Sequence, residues 1–192
     1  MEKINFTFFV IGIAVVAILA YVGIFNALVK LRQKVRESWS GIDVQLKRRY
    51  NLIPNLVNTV KGYAAHESGT LEKVIAARNA AMSVPKNAVT EKSKAENMLS
   101  STLKSIFALS ENYPDLKADK NFLELQRELT ETEDQIAAAR RIYNGNVSLL
   151  NTKIEQFPSN LVAGFHHFEK EPFFEIDENE RDAVSKVPEI RF

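Results

Sequence analysis

The residues that could do chemistry in this sequence are polar side chains on two long predicted helices. They are Asp43, Lys47, Arg48, Arg49 and Asn55 on the first helix, with Asn144, Asn146 and Asn151 on the second. If the two helices lie against each other, some of these side chains can form a polar layer near their seam. Such a layer can contact a partner or ligand, or it can fix the register of the helices through hydrogen bonds. Of the two interpretations, we favour the structural one.

No other group of residues has the pattern of a catalytic, cofactor or metal site. Ser68 lies close to His66 and Glu67, which are the residue types of a nucleophile, a base and an orienting group, but the signature of a nucleophile elbow is absent. A carboxylate di-metal centre in a helical bundle needs Glu-x-x-His pairs on two helices. The histidines His66, His166 and His167 instead fall in predicted loops or in the tail. With no cysteine and no glycine-rich phosphate loop, we expect a protein that is not an enzyme and binds no cofactor or metal.

A long amphipathic helix over residues 28–64 carries the first polar set. Its apolar positions recur at steps of three and four, which is the spacing of one buried helical face. They are Leu28, Leu31, Val35, Trp39, Ile42, Leu46, Tyr50, Ile53, Val57, Val60 and Ala64. Because this stripe keeps its phase on both sides of Pro54, the proline predicts a kink and not an end.

The charge-free run from Ile4 to Val29 predicts a membrane span that continues into this helix. About 20 apolar residues at 1.5 Å each match a hydrocarbon core of roughly 30 Å. A cleaved signal peptide is the weaker alternative, because Glu2 and Lys3 leave no basic N-terminal region. Basic residues follow the span, at Lys30, Arg32, Lys34 and Arg36. The positive-inside rule therefore predicts a single pass through the plasma (inner) membrane, with the N-terminus outside and the remaining domain in the cytoplasm.

The rest of the chain contains three further predicted helices. They begin near Ser68 or Thr70, near Ala88 and near Phe122, and end near Met82, Ser110 and Ile154. The predicted fold class is all-α: an N-terminal transmembrane helix followed by an antiparallel bundle of about four long helices. The predicted regions are an anchor at 1–29, a bundle at 30–157 and an irregular, acidic tail at 158–192. Four phenylalanines are expected to anchor this tail on the bundle: Phe165, Phe168, Phe173 and Phe174.

Several segments of the chain, taken in order, resemble the LemA family. They are Trp39–Arg49 (WSGIDVQLKRR), Leu52–Val57 (LIPNLV), Val60–Ala64 (VKGYA), Thr70–Glu72, Ala77-Arg78, Tyr113–Ala118 (YPDLKA), Asn121-Phe122, Glu128–Glu133 (ELTETE), Ala139–Asn144 (ARRIYN), Asn151, Phe157-Pro158, Gly164-Phe165 and Phe173–Glu175. The resemblance implies a single-span bacterial membrane protein with a long-helix bundle. It implies no catalytic or cofactor site, because no molecular function is established for the family.

The charge balance and the predicted architecture together define the expected function. Lys and Arg total 25 and Asp and Glu total 24, so the basic excess of a nucleic-acid-binding protein is missing. We expect a helical scaffold or adaptor, held in the lipid bilayer by residues 4–29, that acts through contacts with an unidentified protein partner; homo-oligomerisation stays open. One alternative is a membrane-tethered enzyme or metal-dependent hydrolase. The other is a lipid- or envelope-sensing module that uses the basic residues after the span.

Overall fold

The structure is a computed structural model that describes residues 2–175, with side chains from Phe8 onward. In this range it has six helices and no strand: α1 Glu2–Tyr63, α2 Ser68–Ser83, α3 Val89–Ser110, α4 Pro114–Ala118, α5 Lys120–Glu155 and α6 Ser159–Phe165. The predicted all-α fold is therefore confirmed. The acidic end of the tail, residues 176–192, lies outside the described residues.

Helix α1 contains both the apolar span and the amphipathic helix that the sequence predicted. It runs through Pro54 without ending, and its N-terminal part is long and apolar enough to cross a membrane. The large apolar side chains of this part are exposed, with Phe8 at 69% and Leu19 at 67%. A continuous apolar surface of this length is stable in a lipid environment but not in water.

The contacts of the chain define two compact units. Among the described residues, the first unit contains 2–40 and 142–171, and the second contains 41–141 and 172–175. In the first unit, Leu28 and Val35 of α1, Tyr143 and Val147 of α5, and Val162 of α6 are buried. The ring of Trp39 meets that of Tyr143 edge-on at 5.4 Å.

The second unit is a helical bundle made of the C-terminal part of α1, the N-terminal part of α5, and α2, α3 and α4 between them. Its buried residues follow one apolar face on each long helix. They include Ile42, Leu46, Ile53 and Leu56 on α1, Leu71 and Val74 on α2, Leu99, Leu103 and Ile106 on α3, and Phe122, Leu129 and Ile136 on α5. These positions are separated by three, four or seven residues, so the hydrophobic period that predicted the helices also gives their buried faces.

The structure differs from the sequence prediction in two short segments and in two of the tail anchors. Residues 159–165, assigned to the irregular tail, form α6, and the short helix α4 begins at Pro114, between the predicted helices that end near Ser110 and begin near Phe122. Proline fits the first turn of a helix because that position needs no N–H donor. Phe168 and Phe174 are buried as predicted, but Phe165 and Phe173 are 73% and 44% exposed and do not anchor the tail.

Candidate functional site in the groove between α3 and α5

A buried ion cluster lies at the centre of the second unit. Arg49 of α1 has no exposed surface, and neither does Glu96 of α3. The guanidinium group of Arg49 donates to Glu96 Oε2 through Nη2, and to Glu133 Oε1 and Ser100 Oγ through Nη1, the last at 2.7 Å. One arginine therefore connects three helices, because Glu133 belongs to α5.

The second oxygen of Glu96 has partners of its own. The hydroxyl of Tyr50 donates to Glu96 Oε1, and Lys92 Nζ lies 3.4 Å from the same oxygen. Lys92 also donates to the carbonyl oxygen of Ala81 at 2.8 Å, and its ammonium group lies 5.3 Å from the centre of the Tyr50 ring. These contacts compensate the cost of burying charged groups, which is high for an unpaired ion.

The protonation states of two cluster members are fixed by their surroundings. Burial on its own lowers the pKa of Arg49, but attraction to Glu133 and Glu96 outweighs this effect and raises it. Burial raises the pKa of Tyr50, and its hydrogen bond to Glu96 raises it further. At neutral pH, Arg49 is therefore a cation and Tyr50 a neutral donor. A proton-transfer site needs a group that titrates near the working pH, and these two residues do not.

A groove with a volume of about 440 Å³ lies beside this cluster, between α3 and α5. Glu133 belongs to both, because it lines the groove and binds Arg49. Apolar and polar side chains share the lining: Leu103, Phe107, Leu129 and Ile136 among the first, and Asn97, Ser101, Thr130 and Asp134 among the second. A mixed lining of this kind suits an amphipathic peptide better than a purely apolar ligand.

The chain itself reaches one end of this groove at its last described residues. Phe174 is buried beneath the guanidinium group of Arg140, which lies 4.5 Å from the ring centre. The carbonyl oxygen of Glu175 accepts hydrogen bonds from Ser93 Oγ and from Asn97 Nδ2, the latter at 3.3 Å. Because Arg140 and Asn97 also line the groove, residues 172–175 form part of its surroundings.

Of the residues predicted as a polar layer, Arg49 is the one in the buried cluster. In the same unit, Asp43 forms an ion pair with Lys86 at 2.5 Å, and Lys47, Arg48 and Asn55 are exposed. Asn144 and Asn151 belong to the first unit. There, Asn151 donates to the carbonyl oxygen of Glu171 at 2.9 Å and accepts from its N–H at 3.0 Å, while Asn146 donates to the carbonyl oxygen of Lys34 at 3.3 Å. The predicted layer between the two long helices stays a prediction.

Lys92 and Glu96 were not predicted as site residues, although the sequence contains a signal for them. The buried positions of α3 include Val89, Lys92, Glu96, Leu99, Leu103 and Ile106, which follow one another at steps of three and four. Two charged residues thus occupy the apolar stripe, where a charge needs a buried partner. On α1, Arg49 lies between Leu46 and Ile53 in the same way.

The weaker catalytic candidates do not form a site in the described part of the chain. His66 and Ser68 are both exposed, and Glu67 accepts a hydrogen bond from the Tyr113 hydroxyl at 3.2 Å. His166 accepts or donates a hydrogen bond at 2.7 Å to the hydroxyl of Tyr21. Within residues 2–175, no group of three or more His, Cys, Asp or Glu residues is placed to hold a metal ion.

Comparison with known proteins gives relatives over most of the chain. Protein LemA of Metamycoplasma hominis is 30% identical, over 94% of this chain and 82% of the relative. The magnetosome proteins MamQ 2 and MamQ 1 of Paramagnetospirillum magneticum are each 24% identical, over 85% of this chain and 70% of the relative. Together with the long apolar part of α1, these relatives support association with a membrane. The sequence profile of the LemA family matches residues 38–192, and the chain therefore belongs to the LemA family.

Proposed function

We propose that this protein is a membrane-anchored helical scaffold whose groove between α3 and α5 receives an amphipathic peptide segment of a partner protein. The observation that carries the proposal is the mixed lining of the groove beside a cluster of paired charges. An apolar floor with polar groups around it matches a peptide that has one apolar face and one polar face.

The ion cluster supports the proposal because it fixes the walls of the groove. Arg49 joins α3 to α5 through Glu96, Ser100 and Glu133, and two of these residues also line the groove. A site that is formed before binding loses less conformational entropy when its partner binds. The names of the relatives described above are not names of enzymes, which also favours a binding role over catalysis.

Photo-crosslinking in the native bacterium tests the proposal. A benzophenone amino acid replaces Ala137, which lines the groove and is exposed, in the full-length chain. The matched control carries the same group at Gln135, which is also exposed on α5 but lies on the opposite side of the helix, as its 100° spacing per residue requires. We expect a discrete adduct with one protein from Ala137 and none from Gln135.

A second variant shows whether the adduct depends on the groove. Ser101→Trp fills the space opposite Ala137 and should abolish the adduct without changing membrane localisation. Equal adducts from both reporter positions contradict the proposal. A crosslink from Ala137 to residues 176–192 of the same chain also contradicts it, because the groove is then occupied by the protein's own tail.

A second candidate function, sensing of anionic lipid, is favoured by the basic residues that follow the span. Lys30, Lys34 and Arg36 are exposed on α1 immediately after its apolar part. Cations near the membrane surface are attracted to anionic headgroups by about 1 kcal/mol each. The full chain should therefore have a higher Tm in phosphatidylglycerol nanodiscs than in phosphatidylcholine nanodiscs, and replacing the three cations by Gln should remove the difference. The same Tm in both lipids contradicts this function.

A further inference from the structure

The segment from Gln156 to Phe168, here called the α6 loop, contains no charged residue in a chain that is 26% charged. It leaves α5 after Glu155 and returns to Glu169 and Lys170. Lys170 Nζ donates to Glu155 Oε1, so an ion pair joins the two ends of the loop. Both partners are more than half exposed, which places the ends of the loop in a polar environment.

The α6 loop lies against the membrane span. Leu161, Val162 and Phe165 line a shallow apolar groove together with Tyr21 and Ile24 of α1, and Ala17 is part of the same lining. The ring of His166 lies 4.5 Å from that of Phe25 and is hydrogen-bonded to Tyr21. Ala17 is about 12 Å along the helix from Phe25, at 1.5 Å per residue. The loop therefore lies beside the part of α1 whose exposed surface is apolar, as expected of a surface that faces lipid.

The exposed face of the α6 loop is its most hydrophobic face. Ser159, Val162 and Ala163 are buried, whereas Phe157, Leu161 and Phe165 are 75%, 64% and 73% exposed. Leu161 and Phe165 are four residues apart in α6 and therefore share one helical face, and Phe157 is exposed in the turn that precedes α6. In water, such a face adjoining the exposed span would be an unusually large apolar patch for a soluble surface.

Several polar groups at the two ends of α6 find partners within the chain, which lowers the cost of placing this segment in a bilayer. Ser159 Oγ donates to the carbonyl oxygens of Lys153 and Gln156 at 2.7 and 2.8 Å. At the other end, the N–H groups of His166, His167 and Phe168 donate to carbonyl oxygens of α6 at 2.9 to 3.2 Å. The last carbonyl oxygens of α5 and the C-terminal end of α6 are thus hydrogen-bonded within the chain.

We propose that the α6 loop inserts Phe157, Leu161 and Phe165 into the bilayer leaflet around the C-terminal half of the span, as a second membrane contact. The exposed polar residues Gln156 and Asn160 limit the depth to the boundary between headgroups and acyl chains. Arg32, whose guanidinium carbon lies 4.7 Å from the centre of the Phe168 ring, is the cation at the base of the loop, where phosphate groups of the lipid are found. With two contacts, the leaflet fixes the direction of α5 as well as that of α1.

Because the chain has no cysteine, single fluorescent reporters can test the proposal in the full-length protein. Leu161→Cys carries an environment-sensitive dye, and Thr152→Cys, an exposed position on α5 one turn before the loop, carries the same dye as the control. The protein is reconstituted in vesicles of phosphatidylcholine and phosphatidylglycerol. Two quenchers are compared: a nitroxide on the upper part of the lipid acyl chain, and a water-soluble nickel chelate.

We expect the acyl-chain nitroxide to quench the dye on Leu161→Cys several times more strongly than the dye on Thr152→Cys, and the nickel chelate to show the opposite order. The dye on Phe165→Cys should be quenched in the same order as the dye on Leu161→Cys, which shows that the result does not depend on one substitution. Strong quenching by nickel at both loop positions overturns the proposal. Protection from both quenchers also overturns it, because a protein surface and not lipid then covers the face.

Discussion

Arg49 is a charged side chain in a place from which water is excluded, and its partners explain why the fold tolerates it. Its burial would cost several kcal/mol if it were alone. Glu96 and Glu133 supply negative charge, and Ser100 accepts a further hydrogen bond. Such a cluster does not by itself make a protein more stable than an apolar core would, but we expect it to favour the one arrangement of α1, α3 and α5 in which these bonds form.

Removing this cation should be far more damaging than removing its neighbour. We expect Arg49→Met to lower the free energy of unfolding by about 3–5 kcal/mol, because it leaves the carboxylate of Glu96 buried with reduced compensation. The control Arg48→Met changes an exposed residue and should have an effect within about 0.5 kcal/mol. Urea unfolding of the full chain in detergent micelles, followed by circular dichroism, measures both. A double change, Arg49→Met with Glu96→Leu, should recover part of the loss; equal losses in the two single variants would contradict the role of the cluster.

The sequence predicted Arg49 as a candidate residue but did not predict its partners Glu96 and Glu133. Arg49 was a candidate because it lies on a long helix beside an apolar stripe. Glu96 and Glu133 are 47 and 84 residues away from it along the chain, so the pairing depends on how three helices come together. The periodicity of one helix contains no information about which residue of another helix it meets. A charge on an apolar stripe predicts that a partner exists, but not which residue it is.

Among the elements, α1 shows how a helix can continue through a proline. Pro54 has no N–H, so the carbonyl oxygen of Tyr50, four residues earlier, lacks its usual helical donor. Arg78 of α2 supplies the missing donor: its Nε–H bonds to that oxygen at 2.8 Å. Pro54 and Arg78 belong to two of the segments that resemble the LemA family, and this hydrogen bond is a physical reason for the two residues to occur together.

Because Arg78 supplies the donor that Pro54 lacks, the effects of changing these two residues on the free energy of unfolding should not be additive. Arg78→Met leaves the partly buried carbonyl of Tyr50 without its donor, and it should cost about 1 kcal/mol beyond the loss of packing. In a Pro54→Ala background, residue 54 regains an N–H and the same change at Arg78 should cost less. A double-mutant cycle by chemical unfolding should therefore give a coupling energy of about 0.5–1.5 kcal/mol. Additive effects would show that Arg78 does not compensate for the proline.

Helix α5 begins at a capping aspartate whose charge state matters. The N–H of Phe122 donates to Asp119 Oδ1 at 2.8 Å, and the hydroxyl of Tyr63 donates to Oδ2 at 2.9 Å. The bond from Phe122 and then that from Tyr63 hold the pKa of Asp119 below its ordinary value of 3.8. Because the folded pKa is the lower one, the stabilisation is complete above the unfolded pKa and is lost as the pH falls through the folded pKa.

The loss of stability at acid pH should therefore depend on Asp119. Asp119→Asn keeps an N-cap acceptor, and we expect nearly unchanged stability at neutral pH with a shallower loss below about pH 4. Asp119→Ala removes the acceptor and should lower the Tm by a few degrees at neutral pH as well. Thermal unfolding of the three proteins across this pH range measures both effects. If the Tm of the wild type and that of Asp119→Asn fall in the same way as the pH is lowered, this cap makes no pH-dependent contribution to stability.

The helices that the sequence predicted well are the long ones. Helices α1, α3 and α5 have 62, 22 and 36 residues, so their apolar stripes repeat often enough to be recognised. Helices α4 and α6 have five and seven residues, which is too short for a period to show. The mixed groove lies between two long helices and was not predicted, because it depends on their packing and not on either stripe alone.

At the scale of the whole molecule, the open question is on which side of the membrane the helical bundle lies. The cations after the span, Lys30, Arg32, Lys34 and Arg36, favour the cytoplasm by the positive-inside rule, whereas the N-terminal side has Lys3 opposed by Glu2. The same helices are stable on both sides of a membrane, so these flanking charges carry the prediction. The answer determines which class of partner the groove between α3 and α5 can meet.

A single cysteine placed on the bundle decides the topology, since the natural chain has none. Gln135 is exposed on α5, so Gln135→Cys should not disturb the fold. We expect a membrane-impermeant maleimide to leave Gln135→Cys unlabelled in intact cells and to label it fully after lysis. A positive control, with a cysteine inserted after Met1, should react in intact cells if the N-terminus is outside. Labelling of Gln135→Cys in intact cells would reverse the orientation, and the partner of the groove would then have to be sought among proteins of the cell envelope.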